Sequence, residues 1–141
     1  MINVYTTGCW DLFHIGHVKF LEAAKRLGDI LIVGVNTDKT IYQYKGHYPI
    51  IPFKERKGIV ESLKCVDMAM PHTLNEIKML DKYGITIIAV VSEYGRFEHQ
   101  RKFKKYAEKK GVKFIVLPYY PGQSSTSIKQ RVKIEGEYKN G

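Results

Sequence analysis

The most informative part of the sequence is Thr7-Gly8-Cys9-Trp10-Asp11-Leu12-Phe13-His14-Ile15-Gly16-His17. It follows a short apolar run, Ile2 to Thr6, and precedes a run with helical spacing, Val18 to Leu27. These flanks predict a loop that leads from a first strand into a first helix. Such loops are where open parallel α/β sheets bind phosphates.

Two glycines and two histidines suit this loop to an anion. Gly8 and Gly16 allow a close backbone approach that a Cβ would obstruct, and the helix start offers free N–H groups. His14 and His17 are three residues apart, so both imidazoles can donate to one phosphate group. The alternatives are that the two histidines are ordinary surface residues or that they are two ligands of a zinc site, but the chain has no His-Glu-x-x-His sequence. We favour phosphate binding over both.

Length and composition predict one soluble domain, residues 1–131, followed by a polar tail, residues 132–141. No apolar run approaches the length of a membrane span, and the two cysteines, Cys9 and Cys65, give no disulfide framework, so a cytoplasmic location is expected. The formal net charge is +9. Much of it lies between Arg101 and Lys113, which is interpreted as a solvated helix face, since no stacking aromatic motif interleaves the charges. Nucleic acid is therefore not the expected partner.

Strand and helix patterns alternate along the chain, which predicts a parallel α/β sheet with its cleft at the carboxyl ends of the strands. The residues from Asn36 to Pro49 are interpreted as a loop that can fold over a ligand. A helix is expected from Pro52 to about Leu63 and another from Asn75 to Tyr83. Five strands are predicted: Ile2 to Thr6, Ile30 to Val35, Cys65 to Met70 with Pro71 ending it, Ile85 to Val91, and Lys113 to Leu117.

The stretch from Gly8 to His17 resembles the Gly-x-Phe-Asp-x-x-His-x-Gly-His signature of the cytidylyltransferase-like nucleotidyltransferases, among them the glycerol-3-phosphate enzymes, with Trp10 where Phe is usual. The resemblance covers about residues 1–131. It implies a Rossmann-like parallel five-stranded sheet with helices on both faces. It also implies transfer of CMP from CTP to a small phosphomonoester, with Mg²⁺ as cofactor, pyrophosphate as by-product and a homodimer as the assembly.

Later motifs extend the resemblance. Lys45 lies in a Lys-Gly-x-x-Pro context in which relatives carry a lysine that reaches the triphosphate; a solvated loop lysine is the alternative. Ser124, Ser125 and Thr126 resemble the Gly-x-Ser-Thr-Thr-x-Ile motif, and helix capping alone is the alternative there. The chain departs from the glycerol-3-phosphate pattern at Lys64 and Tyr119, where arginine is typical, and at Val91 and Glu93, where glycine and aspartate are typical.

Taken together, these patterns predict a set of site residues. Asp11 is a candidate for placing Mg²⁺ through water, with a loop-capping aspartate as the alternative. The expected catalytic residues are His14, His17 and Lys45; the expected nucleotide-binding residues are Thr7, Gly8, Cys9, Asp11, Gly16, Lys64, Glu93, Tyr119, Ser124, Ser125, Thr126 and Lys129. Two other functions stay open: an adenylyltransferase of the same superfamily, acting on FMN or a related acceptor, and a non-catalytic nucleotide- or RNA-binding protein.

Overall fold

Five parallel strands form one sheet in the order β3-β2-β1-β4-β5. The computed structural model describes residues 1–74, 77–118, 120, 121 and 124–140, with residues 134–140 described by their backbone alone. The prediction of a parallel five-stranded Rossmann-like sheet is confirmed. The strands are β1 (Asn3–Gly8), β2 (Ile30–Asn36), β3 (Met68–His72), β4 (Ile85–Val90) and β5 (Lys113–Val116).

Helices cover both faces of the sheet because successive strand residues point to opposite sides. Val4 packs with Leu21 and Val60 on one face, whereas its neighbour Tyr5 packs with Met79 and Phe103 on the other. Each face thereby buries its own hydrophobic core. The helices are α1 (Ile15–Lys25), α2 (Asp38–Lys45), α3 (Phe53–Glu61), α4 (Met79–Lys82), α5 (Glu98–Lys109) and α6 (Ser125–Asn140).

Helix α2 corrects the prediction of a loop from Asn36 to Pro49. Thr37 caps its first turn by accepting the Thr40 N–H at 3.2 Å, and Gly46 ends it in the left-handed region at φ 78°. Both caps were present in the sequence. The segment lacks an apolar stripe, which is why periodicity alone did not indicate a helix.

Strand β3 also differs from the prediction, since it runs through Pro71 to His72 instead of stopping before the proline. In the described part of the chain it is an edge strand that pairs with β2 alone, so the missing proline N–H is tolerated. Helix α4 begins at Met79, later than expected, and residues 75 and 76 of the predicted helix lie outside the described residues.

Helix α6 continues through Asn140, past the predicted domain boundary at residue 131. That boundary stays a prediction. None of the helices in the described part of the chain is long and apolar enough to cross a membrane.

Candidate active site

A cleft of about 540 Å³ lies at the carboxyl ends of the strands, between the loop after β1 and the start of α6. This is the place that a parallel α/β sheet offers to a ligand. Of the predicted site residues, the structure brings these to the cleft: Thr7, Gly8, Cys9, Asp11, His14, Gly16, His17, Lys45, Glu93, Ser124, Ser125, Thr126 and Lys129.

Lys64 is not among them. It is exposed on the turn that leads from α3 into the amino end of β3, whereas the cleft lies at the carboxyl ends. The structure does not bring Lys64 to this cleft, and its predicted contact with a nucleotide stays a prediction. Tyr119 lies outside the described residues, so its predicted contact stays a prediction.

The loop between β1 and α1 is tightly wound. Trp10 and Leu12 both adopt left-handed backbone, with φ 54° and 46°, a conformation that is costly for residues other than glycine. Trp10 is held there because its indole N–H donates to the Gly34 carbonyl at 2.9 Å and its ring lies over Gly8. A Cβ on Gly8 would lie 3.1 Å from that ring. Because Gly8 has no side chain, the indole can pack against it and hold the loop in this conformation.

His14 and His17 form the start of α1. The Nδ1 of His14 accepts the Gly16 N–H at 3.0 Å, and the Nδ1 of His17 accepts the His14 N–H at 3.2 Å. A neutral imidazole that accepts at Nδ1 carries its proton on Nε2. Since the two rings lie 3.9 Å apart between centroids, the pair presents two neighbouring Nε2–H donors. This geometry suits two oxygens of one phosphate chain.

Both histidines are neutral at pH 7. Burial lowers the pKa of His17 to about 4, helped by the nearby His14 and opposed by Asp11. Burial also lowers the pKa of His14. The pair therefore acts through directed hydrogen bonds until an anion arrives and favours protonation.

Asp11 holds the cleft together. Its carboxylate accepts the N–H groups of Ile50 and Ile51, each at 2.9 Å, and of Leu12 at 3.1 Å. Its carbonyl accepts the Ser125 hydroxyl at 2.7 Å. Asp11 thus has the loop-capping role that was one of its two interpretations, and it joins three segments that are distant in sequence.

Arg56 is a buried anchor for the same loop, and the set of predicted site residues omits it. Its side chain is fully buried and donates to the carbonyls of Cys9 and Ile51, at 2.6 and 2.8 Å, and to the Asp38 carboxylate at 2.7 Å. A buried cation needs such partners. The sequence signal was an arginine at a core-facing position of α3.

The α6 side of the cleft is built from hydroxyl groups. Ser124 and Ser127 cap the helix reciprocally, each N–H donating to the other's hydroxyl at 3.0 Å. Thr126 and Lys129 line the cleft beyond them. Helix capping therefore accounts for the hydroxyl of Ser124, and the hydroxyl of Ser125 donates to the Asp11 carbonyl.

Aromatic side chains form a wall that the sequence did not predict. Tyr44 packs against Phe97 and His99, with ring centroids 5.0 and 4.6 Å apart. Its hydroxyl accepts the Asn36 amide at 2.9 Å and lies 3.1 Å from the Cys9 thiol. Tyr44 lies in the segment that was predicted to fold over a ligand, but it was not among the predicted site residues. The cleft also holds His72 and Arg96.

Comparison with known proteins identifies the family. The model of the cytidylyltransferase-like family matches residues 5–131. The chain belongs to the cytidylyltransferase-like family. The resemblance found in the signature loop of this nucleotidyltransferase-family chain is confirmed, and it extends over nearly the whole sequence.

Relatives of this cytidylyltransferase-like chain include bifunctional proteins HldE. That of Trichlorobacter lovleyi is 34% identical over 131 residues, which are 92% of this chain and 26% of that protein. That of Helicobacter pylori is 51% identical over 65 residues, which are 45% of this chain and 14% of that protein. The chain spans about a quarter of the length of the first of these relatives.

Solved structures agree on the fold. The lipopolysaccharide core biosynthesis protein of Thermoplasma volcanium superposes with a TM-score of 0.69 at 28% identity, covering 87% of this cytidylyltransferase-like chain and 99% of that one. Thermotoga maritima TmcAL, bound with alpha-thio ATP, gives a TM-score of 0.66 at 14% identity, covering 96% and 51%. At that identity the second likeness shows the fold alone.

Proposed function

We propose that this chain transfers the nucleotidyl group of a nucleoside triphosphate to a small phosphomonoester, with CTP as the donor. The observation that carries the proposal is the histidine pair: two neutral imidazoles, each with Nδ1 occupied by a backbone N–H, at the start of α1. Two fixed donors at a helix N-terminus suit a triphosphate.

The reaction needs positioning and charge stabilisation more than proton transfer. An oxygen of the phosphomonoester attacks the α-phosphorus, a new P–O–P bond forms, and the bond to the leaving pyrophosphate breaks. The nucleophile is already anionic at neutral pH, so no general base is required. His14 and His17 donate to the triphosphate, and Lys45 and Lys129, both in the cleft, add positive charge to the leaving group.

Mg²⁺ fits this proposal as a companion of the nucleotide. No group of three or more metal-ligating side chains occurs among the described residues, and the Asp11 carboxylate already accepts three N–H groups. The ion would be held mainly by phosphate oxygens and water, as it prefers, and would neutralise charge on the triphosphate.

The acceptor we propose first is glycerol 3-phosphate, because the signature from Gly8 to His17 resembles that of the glycerol-3-phosphate enzymes. A sugar phosphate is the second acceptor to test. It is favoured by the 28% identity to a protein named for lipopolysaccharide core biosynthesis, since core oligosaccharides are built from activated sugars.

Adenylyl transfer is the alternative reaction. It is favoured by the departures at the carboxyl end of β4, where Val91 and Glu93 line the cleft in place of the glycine and aspartate of the glycerol-3-phosphate enzymes. Side chains at this end bear on which base is bound. The donor assay below separates the two reactions.

The experiment measures pyrophosphate release from magnesium CTP with glycerol 3-phosphate or glucose 1-phosphate as acceptor, with ATP run in parallel. Release with CTP supports the proposal, and release with ATP alone supports the alternative. Nucleotide binding without release from either donor would contradict both and favour a binding protein.

We also propose a cytoplasmic homodimer. The support is an exposed aromatic and aliphatic patch beside α2, where Tyr42 and Tyr48 stack 4.6 Å apart between ring centroids and Ile50 is 56% exposed. Light scattering after size-exclusion chromatography measures the mass directly, and a monomer at micromolar concentration would contradict this part of the proposal.

A further inference from the structure

A buried pair, Tyr5 and His72, crosses the sheet beneath the cleft. Tyr5 on β1 is fully buried, and its hydroxyl lies 2.6 Å from the Nδ1 of His72 at the end of β3. Strand β2 lies between them. The contact passes over Gly34, where an added Cβ would come within 1.9 Å of the Tyr5 hydroxyl oxygen. The absence of a side chain at Gly34 is what permits the pair.

This contact bears on the tautomer of His72. We assign the Tyr5 hydroxyl as the donor to Nδ1, because a phenol is a stronger acid than a neutral imidazole N–H; this assignment puts the ring proton on Nε2. Burial and the nearby His99 lower the pKa of His72 to about 4, which keeps the ring neutral at pH 7.

The Nε2–H of His72 is free to bind a ligand. Among the described residues this nitrogen has no hydrogen-bond partner. It is not one of the polar atoms that are buried without a partner, so it is accessible from the cleft. His72 lines the cleft, although its residue is only 7% exposed. A donor that a second residue orients, and whose N–H can still reach a ligand, is typical of a group that recognises a substrate.

The rings that contact His72, those of Tyr5 and Phe103, are uncharged. Phe103 meets the His72 ring edge to face at 5.7 Å between centroids, and His99 is neutral because burial lowers its pKa. Asn36 and Tyr44 line the same side of the cleft at the ends of β2 and α2. A neutral donor beside aromatic faces matches an uncharged, hydroxylated skeleton better than a second phosphate.

We infer that His72 determines acceptor specificity, its Nε2–H donating a hydrogen bond to a hydroxyl group on the carbon skeleton of the phosphomonoester, with Tyr5 as its positioning residue. The inference rests on the proposed function, which puts the triphosphate at His14 and His17 and the base near Glu93 at the end of β4. The ends of β2 and β3 then remain for the acceptor.

The kinetic test compares Tyr5→Phe with Tyr83→Phe, a matched hydroxyl deletion outside the cleft. We expect Tyr5→Phe to raise the KM for the acceptor about three- to tenfold, the scale of one neutral hydrogen bond. The KM for the nucleotide should stay unchanged, as should both constants in Tyr83→Phe. His72→Gln, which keeps an N–H donor, should retain more acceptor affinity than His72→Leu.

A general loss of packing would instead lower kcat and weaken nucleotide and acceptor alike. An unchanged acceptor KM in Tyr5→Phe, or equal effects on both substrates, would overturn the inference. Glycerol 3-phosphate and glucose 1-phosphate are the acceptor probes, because they share the phosphate group and differ in the skeleton that His72 would contact.

A spectroscopic test separates this inference from the proposed reaction. Imidazole ¹⁵N spectra of the wild type should show His72 as the Nε2–H tautomer, and this signal should shift on addition of either phosphomonoester and not on addition of CTP. Tyr5→Phe should lose the fixed tautomer. The Nδ1–H tautomer in the wild type, a shift with CTP alone, or no shift with any probe would overturn the inference. Missing pyrophosphate release would count only against the proposed function.

Discussion

His17 combines two roles at the level of the single residue, since its Nδ1 caps the His14 N–H and its Nε2–H lies in the cleft. We expect His17→Ala to reduce turnover by at least about a hundredfold, the scale of one transition-state donor. His17→Asn can still cap the helix through its side-chain oxygen, so it should fold like the wild type and lose a similar amount of activity. Steady-state kinetics and thermal unfolding measure the two effects separately. Wild-type turnover in His17→Asn would remove the ring from the mechanism.

Gly34 gives a second prediction at this scale. An alanine Cβ there would lie 1.9 Å from the Tyr5 hydroxyl oxygen and 3.1 Å from the His72 Cβ. We expect Gly34→Ala to lower the free energy of unfolding by about 1 to 3 kcal/mol through overpacking. Gly58→Ala, where nothing lies near the added atom, is the matched control. Urea denaturation followed by circular dichroism measures both, and equal stability of the two variants would contradict the crossing of Tyr5 over Gly34.

Local patterns identify single residues well only when their partners are close in sequence. The spacing of His14 and His17 predicted a donor pair because both lie in one helical turn. Tyr5 and His72 are 67 positions apart, and nothing local connects them. Their contact depends on the order of three strands and on a glycine between them.

At the level of elements, α6 is joined to the loop after β1 by the Ser125 hydroxyl on the Asp11 carbonyl. We expect Ser125→Ala to weaken nucleotide binding about three- to tenfold by loosening this wall of the cleft. Ser62→Ala is the control, because that hydroxyl donates to the carbonyl of Ile59 at the exposed end of α3 and lies outside the cleft. Isothermal titration with CTP and ATP measures the affinity. Equal affinities in the two variants would show that the hydrogen bond from Ser125 to Asp11 does not affect nucleotide binding.

Element prediction succeeded where apolar periodicity was strong and failed where caps were the main signal. β2 and β4 were predicted from continuous apolar runs that become buried strands. α2 was missed although Thr37 and Gly46 cap it, because its residues are mostly polar and it packs chiefly through Thr40 and Ile41.

At the level of the whole molecule, buried neutral histidines make stability depend on pH. The pKa of both His17 and His72 is lowered from 6.5 to about 4 in the folded chain. The unfolded chain therefore binds more protons between these values, so the free energy of unfolding falls as pH decreases from about 6.5 to about 4. Above pH 6.5 these two residues contribute no pH dependence.

We expect a loss of about 3 kcal/mol from the deeply buried His72 over that range, and less from the more accessible His17. Urea denaturation at intervals between pH 7.5 and 4.5 measures the slope. His72→Gln should flatten the curve relative to the wild type. An unchanged slope in that variant would mean that folding does not lower the pKa of His72.

The architecture as a whole could be predicted from sequence, since alternating strand and helix patterns allow few topologies. The placement of Lys64 could not be predicted from sequence. A turn before a strand and a turn after it have similar compositions, but they lie at opposite ends of the strands. The signature loop was placed correctly because it follows the first strand directly.

The hydrogen bonds that Asp11 accepts make motion at the cleft measurable. The amide hydrogens of Ile50 and Ile51 both bond its carboxylate, and neither belongs to a helix or strand. Their rates of exchange with deuterated solvent therefore record how often the loop after β1 separates from the segment before α3. Since a ligand that bridges these segments must slow that separation, the two amides register occupancy of the site without catalysis and without a label.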